Sequence, residues 1–245
     1  GANTTGCQNS ALGAFALDTN TTGDFNVAVG RSALTANTTA DNNTAVGAAA
    51  LTGNTTGTSN TAVGRDSLQT NTTADDNTAV GFCSLYTNTT GAANTAVGRT
   101  SLLANTTGAS NTAVGMGSLE SNTTGTNNTA VGANAFDANT TGSYSVAIGN
   151  GSLGLHTTGG NNTAVGWNSG AATTTGARNT FVGGGSGVGV GASNTTGDDN
   201  SFFGNDAGGR NTTGSNQVAA GRDALLTNTT GNGNTALGFQ SLRAN

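Results

Sequence analysis

Few side chains in this sequence could do chemistry, and they are not grouped. The chain of 245 residues has one histidine, His156, and two cysteines, Cys7 and Cys83. Acid–base or nucleophilic catalysis needs titratable groups that converge, whereas His156 occupies a repeat position that otherwise holds asparagine. Two cysteines provide neither a disulfide framework nor a zinc cluster. The sequence therefore predicts a protein that is not an enzyme, with no catalytic, cofactor-binding or metal residues and no cofactor.

Two further motifs resemble ligand sites only superficially. The acidic pairs Asp75–Asp76 and Asp198–Asp199 fall in predicted turns and do not match a calcium-binding repeat. The glycine-rich segment 183–191 lacks the Lys-Ser/Thr that follows the glycines of a phosphate-binding loop. We interpret both motifs as structural.

The charge distribution argues against nucleic acid as a partner. Seven basic residues are set against 12 acidic ones, and no basic run could neutralise a phosphate backbone. No stretch approaches the roughly 20 apolar residues of a membrane-spanning helix. Arg31, Arg65 and Arg99 recur in alternate repeats, which indicates charge spacing on a solvated face, with an anion-binding stripe as the alternative.

An internal repeat organises the chain. The glycine of an NTAVG motif recurs at 13, 30, 47, 64, 81, 98, 115, 132, 149, 166, 183, 204, 221 and 238, with a spacing of 17 except for the step from 183 to 204, which is 21. The consensus, numbered 1 to 17 from the asparagine, is N-T-A-V-G-x-x-[SA]-L-x-x-N-T-T-[GA]-x-x. A period of this length is too short for a helical hairpin, and Gly, Thr, Asn and Val favour strands and turns.

These features predict an all-β fold, a parallel β-solenoid (a β-roll or β-helix) of about fourteen 17-residue coils. Coils that hydrogen-bond at about 4.8 Å make an elongated rod. Residues 1–245 are expected to form a single repeat domain with an irregular insertion near 184–200. Because Cys7 and Cys83 lie several coils apart, no disulfide is expected between them.

The alternation of strand side chains places positions 2 and 4 on one face and position 3 on the other. Hydrophobicity then predicts two buried ladders, one of valine at position 4 and one of leucine at position 9, for example Val63 and Leu68. The glycine of position 5 is expected to need positive φ or a close backbone approach. The asparagines of positions 1 and 12 are expected at corners, where asparagine tolerates left-handed geometry, with amides bonded to the backbone or to one another.

One region departs from the consensus. Glycine replaces the leucine of position 9 in three consecutive coils, at Gly170, Gly187 and Gly208. Phenylalanines enter at positions 3 and 4 in the same region, as Phe181, Phe202 and Phe203. The lost volume is expected to be refilled from the other strand. We predict that Phe203 is buried and that Phe203→Ala costs roughly 3 to 5 kcal/mol, more than Phe82→Ala at a corner.

The segment Ser145–Gly149, S-V-A-I-G, and the NTAVG series resemble the head repeats of YadA-type trimeric autotransporter adhesins. They are also similar to NTAVG-rich repeats of bacteriophage tail-fibre-like proteins. The resemblance covers the whole chain through a short motif, and it implies a left-handed parallel β-roll, three chains side by side and an exposed fibre that binds surfaces. The adhesin repeat is shorter than the one here, so a self-sufficient single-chain solenoid remains an alternative.

The expected function is an extracellular structural or adhesive fibre segment (an adhesin head, tail fibre or filament subunit) at a cell or virion surface. It would present a repetitive Thr/Asn-rich surface, associate with itself as a homotrimer or an end-to-end filament, and bind a cell-surface or matrix ligand. The alternative is ice binding, because threonine ladders on β-solenoids match the ice lattice and the repeat resembles the N-x-V-x-G pattern of grass antifreeze proteins. The threonine pair of positions 13 and 14 would give one outward rank, whereas T-x-T surfaces give two.

Overall fold

A computed structural model describes residues 2–185 and 187–244, and it confirms the predicted parallel β-solenoid. The chain forms two compact units, Gly1–Thr124 and Gly125–Asn245. In the described residues the regular structure is strand and turn. Residues 2–185 and 187–244 contain no helix suited to crossing a membrane.

Each coil contributes one three-residue strand from positions 2 to 4, and coil n is the coil that contains strand βn. The first unit contains β1 (Ser10–Leu12), β2 (Val27–Val29), β3 (Thr44–Val46), β4 (Thr61–Val63), β5 (Thr78–Val80), β6 (Thr95–Val97) and β7 (Thr112–Val114). The second unit contains β8 (Thr129–Val131), β9 (Val146–Ile148), β10 (Thr163–Val165), β11 (Thr180–Val182), β12 (Ser201–Phe203), β13 (Val218–Ala220) and β14 (Thr235–Leu237). Within each unit every strand pairs in parallel with the next, and each residue lies opposite its repeat equivalent.

The glycine that ends each strand has the two properties expected of it. Gly64 has a φ of 134°, and a Cβ there would collide with the carbonyl oxygen of Gly81 in the next coil. Positions 6 to 11 then form turns in which non-glycine residues adopt left-handed geometry, as Asp66 (φ 58°) and Leu68 (φ 50°) do. The Leu68 amide donates to the Ser84 carbonyl at 2.9 Å, so the turns also hydrogen-bond from coil to coil.

The core lies between the alanine of position 3 and the leucine of position 9. Ala62 and Leu68 are fully buried, and their equivalents repeat this pattern in most coils. The predicted leucine ladder is confirmed, but the predicted burial of the valine ladder is wrong, because Val63 is only half-buried. In a three-residue strand, positions 2 and 4 point the same way, and the leucine arriving from the turn leaves inward space for a single small side chain.

Asparagine ladders line the corners. Asn71 Nδ2 donates to Asn54 Oδ1 at 2.8 Å and to the Ala74 carbonyl at 3.0 Å, and this row of position 12 is buried. At position 1, Asn60 Oδ1 accepts from the main-chain amide of the next asparagine at 3.0 Å. The predicted amide-to-amide bonding is confirmed. These corners do not use the left-handed geometry that asparagine tolerates, since apart from glycine positive φ falls at positions 7, 9 and 17.

The region of glycine substitutions corrects the register predicted for it. The Gly191 amide donates to the Ala207 carbonyl at 3.0 Å, as a position-9 leucine would, so Gly191 stands at position 9 and Gly187 belongs to the insertion. The four extra residues precede the turn that contains Gly191. Counting positions forward from Gly183 therefore assigned position 9 to Gly187. Asp206 Oδ1 holds the insertion by accepting the amides of Val188 at 3.1 Å and Gly189 at 2.7 Å.

Phenylalanines refill the missing leucine volume, as predicted, but from position 3. Phe181 and Phe202 are fully buried with ring centroids 5.6 Å apart. A Cβ on Gly170 would lie 2.6 Å from the Phe181 ring, and one on Gly208 would collide with the Phe202 ring. The prediction that Phe203 is buried is wrong, because position 4 points outward and leaves that side chain 43% exposed.

Candidate interaction surfaces

The single histidine is part of the corner ladder. His156 is fully buried at position 12, with its ring edge-on to Phe136 at 5.1 Å between centroids. Its Nε2 lies 2.9 Å from the side-chain amide of Asn162 at position 1, whereas Asn71 of this row bonds to Asn54 of the same row. Burial lowers the pKa of His156 to about 4, so the ring is neutral at physiological pH. The arrangement gives it a packing role.

The acidic pairs bond to the solenoid itself. Asp75 Oδ1 accepts the Thr58 amide of the preceding coil at 2.6 Å, and Asp198 makes the equivalent bond at 2.7 Å. Asp199 forms a two-pronged ion pair with Arg178, at 2.7 and 2.9 Å, and the hydrogen bond from Arg178 lowers the pKa of the Asp199 carboxyl. In the described part of the chain, no three His, Cys, Asp or Glu side chains are grouped as a metal site would require.

The arginines of position 6 alternate with apolar side chains. The Arg65 guanidinium lies 5.5 Å above the Phe82 ring and pairs with Asp66 at 2.9 Å. Arg99 contacts the Met116 sulfur at 3.7 Å. The row is therefore a mixed edge of cations and large apolar groups.

The outward side chains of β2 to β7 form a continuous uncharged surface, the first-unit face. Its members are Val27, Thr44, Thr61, Thr78, Thr95 and Thr112 at position 2 and Val29, Val46, Val63, Val80, Val97 and Val114 at position 4. From β3 to β7 the pattern is uniformly Thr-x-Val, in two ranks about 6.6 Å apart across the strand and about 4.8 Å apart along the stack. The side chains are half-buried, except that Val114 is 36% exposed.

The corresponding surface of β8 to β13 is less regular, and we call it the second-unit face. It consists of Thr129, Val146, Thr163, Thr180, Ser201 and Val218 at position 2 and Val131, Ile148, Val165, Val182, Phe203 and Ala220 at position 4. Ile148 is 39% exposed, and Phe203 and Val218 are also exposed. Trp167, at position 6 beside this face, is exposed too.

A column of threonines runs along another side of the coils. The threonine of position 14, such as Thr73, is exposed in coils 1 to 13. The neighbouring Thr72 is half-buried, and its hydroxyl donates to the Thr89 carbonyl at 3.1 Å. The pair thus gives one outward rank, as the sequence predicted.

An open groove of about 410 Å³ lies on the turns of the second unit. It coincides with coils in which position 10 is small, including Gly154 and Ala171, whereas regular coils carry side chains such as Gln69 there. Sequence reasoning missed this groove, although the change from bulky to small residues at position 10 was visible.

Both thiols are free: Cys7 is exposed and Cys83 is half-buried. Burial, with a contribution from Asp66, raises the pKa of the Cys83 thiol. No protein-family model, curated protein or solved structure matches this chain. The geometry of the two faces, the threonine column and the groove therefore carries the functional argument.

Proposed function

We propose that this chain is a segment of an extracellular structural or adhesive fibre at a cell or virion surface, of the adhesin-head, tail-fibre or filament type. Its copies associate side by side through the first-unit and second-unit faces. The observation that carries the proposal is that valine, isoleucine and phenylalanine of position 4 point away from the core of their own coil. They do so in surfaces without any charged residue.

The size of each face indicates what the interface must include. Three residues by six strands cover roughly 10 by 29 Å, or about 300 Å². A stable interface buries about 800 Å² on each partner, so one face is too small by itself. The flanking row of position 6 supplies more apolar surface through Phe82 and Met116 in the first unit and Trp167 in the second.

A closed homotrimer is the assembly that we favour over an end-to-end filament. Each face lies on the sides of its own coils, where a rotation that closes after three copies can bury it against its equivalents. The resemblance to trimeric adhesin heads agrees with that choice. An end-to-end filament would leave both faces in water.

Multi-angle light scattering during size-exclusion chromatography tests the proposal. The expected mass is about three times the 23.5 kDa of the chain. Val63→Arg with Val80→Arg places two like charges on the first-unit face while the side-chain stems can still cover the strand, and this variant should be monomeric. The matched control, Thr73→Arg with Thr90→Arg, changes exposed threonines of the same coils and should remain trimeric. A monomeric parent chain, or a Val63/Val80 variant that still assembles, would refute side-by-side association; a ladder of masses would indicate a filament.

Ice binding is a second candidate, and the regular part of the first-unit face favours it. Five successive strands present Thr and Val in two parallel ranks, where the sequence alone had suggested one rank of threonine. The second-unit face is disrupted by Ile148 and Phe203, so the first unit would bind the ice. Thermal hysteresis of the purified chain measures this activity. Thr78→Tyr in the middle of the array should abolish it, whereas Thr73→Tyr should not, and a chain without hysteresis excludes the candidate.

A further inference from the structure

The groove of the second unit is a preformed site built from turns. Position 7 lines it with Asn134 and Asn168, and position 10 with Gly154 and Ala171. In coils 4 to 6 the residues of position 10 are Gln69, Tyr86 and Leu103, which are larger and half-buried. Because these turns are tied to their neighbours by main-chain hydrogen bonds, a ligand would not have to order them.

The polar groups of the groove are amides, a hydroxyl and one carboxylate. Asn134 and Asn168 hold left-handed geometry, with φ of 51° and 50°. A Cβ on Gly151 would collide with Asn168 Oδ1, so a glycine there is what lets that amide lie over the turn. The Asp137 carboxylate lies beside the turn of coil 9, 3.6 Å from where a Cβ on Gly154 would be, and Ser193 adds a hydroxyl.

Apolar groups complete the groove. Leu155, one residue beyond position 10, is 60% exposed and lines the groove, whereas the leucine of position 9 in the same coil, Leu153, is fully buried. Val188 comes from the insertion, which the two main-chain hydrogen bonds to Asp206 hold in place. The insertion therefore supplies a wall that the regular coils lack.

Two properties restrict the ligand. The lining contains Asp137 and neither arginine, lysine nor histidine, so a phosphate, sulfate or carboxylate group would find no counter-charge. The main-chain amides of Leu155 and Ala172 already donate to the carbonyls of Ala171 and Ala192, both at 2.9 Å. An extended peptide would thus have no free strand edge to which it could add.

We infer that this groove binds a short neutral oligosaccharide. Its amides, hydroxyl and carboxylate can pair with sugar hydroxyls while Leu155, Ala171 and Val188 contact the C–H faces of the rings, and the volume is in the range of small-ligand sites. The inference deepens the adhesive part of the proposed function and rests on it, since it names the class of surface ligand.

The test uses the full chain on an array that carries uncharged di- to tetrasaccharides together with sialylated and sulfated glycans. Binding to one or more neutral glycans is expected, and calorimetry with the strongest of them gives its affinity. No neutral binder, or a preference for anionic glycans, would overturn the inference.

Ala171→Gln fills the groove with the side chain that coil 4 carries at the same position, so the fold should tolerate it. We expect it to weaken binding at least tenfold, and Asn168→Ala to weaken it several-fold. Thr52→Gln places the same new side chain at position 10 outside the groove and should bind as the parent does. Circular dichroism verifies that each variant is folded, and unchanged affinity in a folded Ala171→Gln chain would refute the site.

Failure of this inference is distinguishable from failure of self-association. The monomeric Val63→Arg, Val80→Arg variant leaves the groove intact and should bind the same glycan. A chain that assembles but binds no neutral glycan contradicts only the groove. A parent chain that is monomeric and binds the glycan contradicts only the assembly.

Discussion

Exchanging the large and small residues of coil 12 is the sharpest test of the packing described above. Regular coils pair a small residue at position 3 with leucine at position 9, as Ala62 and Leu68 do. Coil 12 reverses the sizes, with Phe202 at position 3 and Gly208 at position 9. The variants are Phe202→Ala, Gly208→Leu and their combination, which restores the regular pair.

Each single substitution should destabilise the chain. Phe202→Ala removes a fully buried ring with no leucine to fill the gap, which costs about 3 to 5 kcal/mol. Gly208→Leu forces a side chain into the Phe202 ring and costs about 1 to 3 kcal/mol. The backbone accepts leucine there, because Leu225 of the next coil has a φ of 54° where Gly208 has 56°.

The double variant should be within about 1.5 kcal/mol of the parent, because a volume-conserving exchange is tolerated best. The single costs sum to about 4 to 8 kcal/mol, so the coupling between the two sites is roughly 2.5 to 8 kcal/mol, well above what independent sites show. Urea unfolding followed by the fluorescence of Trp167, the only tryptophan and a residue of the same unit, measures all three. Phe203→Ala is the control and should cost less than Phe202→Ala, because its ring points away from the core of the coil. A double variant no more stable than the single variants, or equal costs at Phe202 and Phe203, would refute the assignment of position 3 to the core.

Three further predictions address other parts of the chain. Asn71→Ala leaves buried amide groups unpaired and should lower the free energy of unfolding by about 1 to 3 kcal/mol in urea titrations. Replacing the exposed Thr73 by alanine should cost under about 0.5 kcal/mol. Equal costs at the two positions would contradict the asparagine ladder. Burial lowers the pKa of His156 from 6.5 to about 4, so the unfolded chain takes up the proton first as the pH falls. The contribution of His156 to stability is complete above pH 6.5 and should decline by roughly 3 kcal/mol down to pH 4. His156→Asn should remove this dependence on pH, and a dependence that persists in the variant would contradict its assignment to His156. Iodoacetamide should alkylate the half-buried Cys83, whose thiol pKa is raised, more slowly than exposed Cys7 in the folded chain, and equal rates there would be inconsistent with the structure.

The period and one of the two core ladders could be predicted from the sequence because each depends on a signal that repeats in every coil. Gly64 and Leu68 have equivalents at a fixed spacing, and only stacked coils explain that recurrence. The buried asparagine rows could also be anticipated, since asparagines in register have an amide donor and acceptor for each neighbour.

The direction of the strand side chains could not be taken from hydrophobicity. Valine is more apolar than alanine, so hydrophobicity predicted that Val63 would be buried. The space opposite Leu68 is small, and the structure buries Ala62 there instead. The sequence does contain a better signal. In coils 11 and 12, where position 9 is glycine, position 3 is phenylalanine, as Phe181 and Phe202, and the Phe181 ring also covers Gly170 of coil 10. Such exchange of volume indicates that the two positions face each other.

The groove was missed although position 10 becomes small there, at Gly154 and Ala171. The true register of the insertion was hidden for a different reason. In the segment 183–191, alternating glycine and valine fit more than one register, and the Asp206 side chain that fixes it comes from the following coil.

The left-handed residues also have a consequence for how the chain folds and how its length can change. Each coil holds three positions in this conformation, such as Asp66, Leu68 and Asp76, and for an L-residue each costs about 1 to 2 kcal/mol. A coil alone is then unfavourable, and its stability comes from the coil beside it. In a nearest-neighbour description of repeat proteins, weak intrinsic stability with strong coupling makes many coils fold and unfold together. The same balance favours duplication of entire 17-residue units, because an added complete coil can pair with the coils on both sides of it. A fragment such as the four extra residues before Gly189 cannot do so, and it is held instead by hydrogen bonds to Asp206 of the next coil.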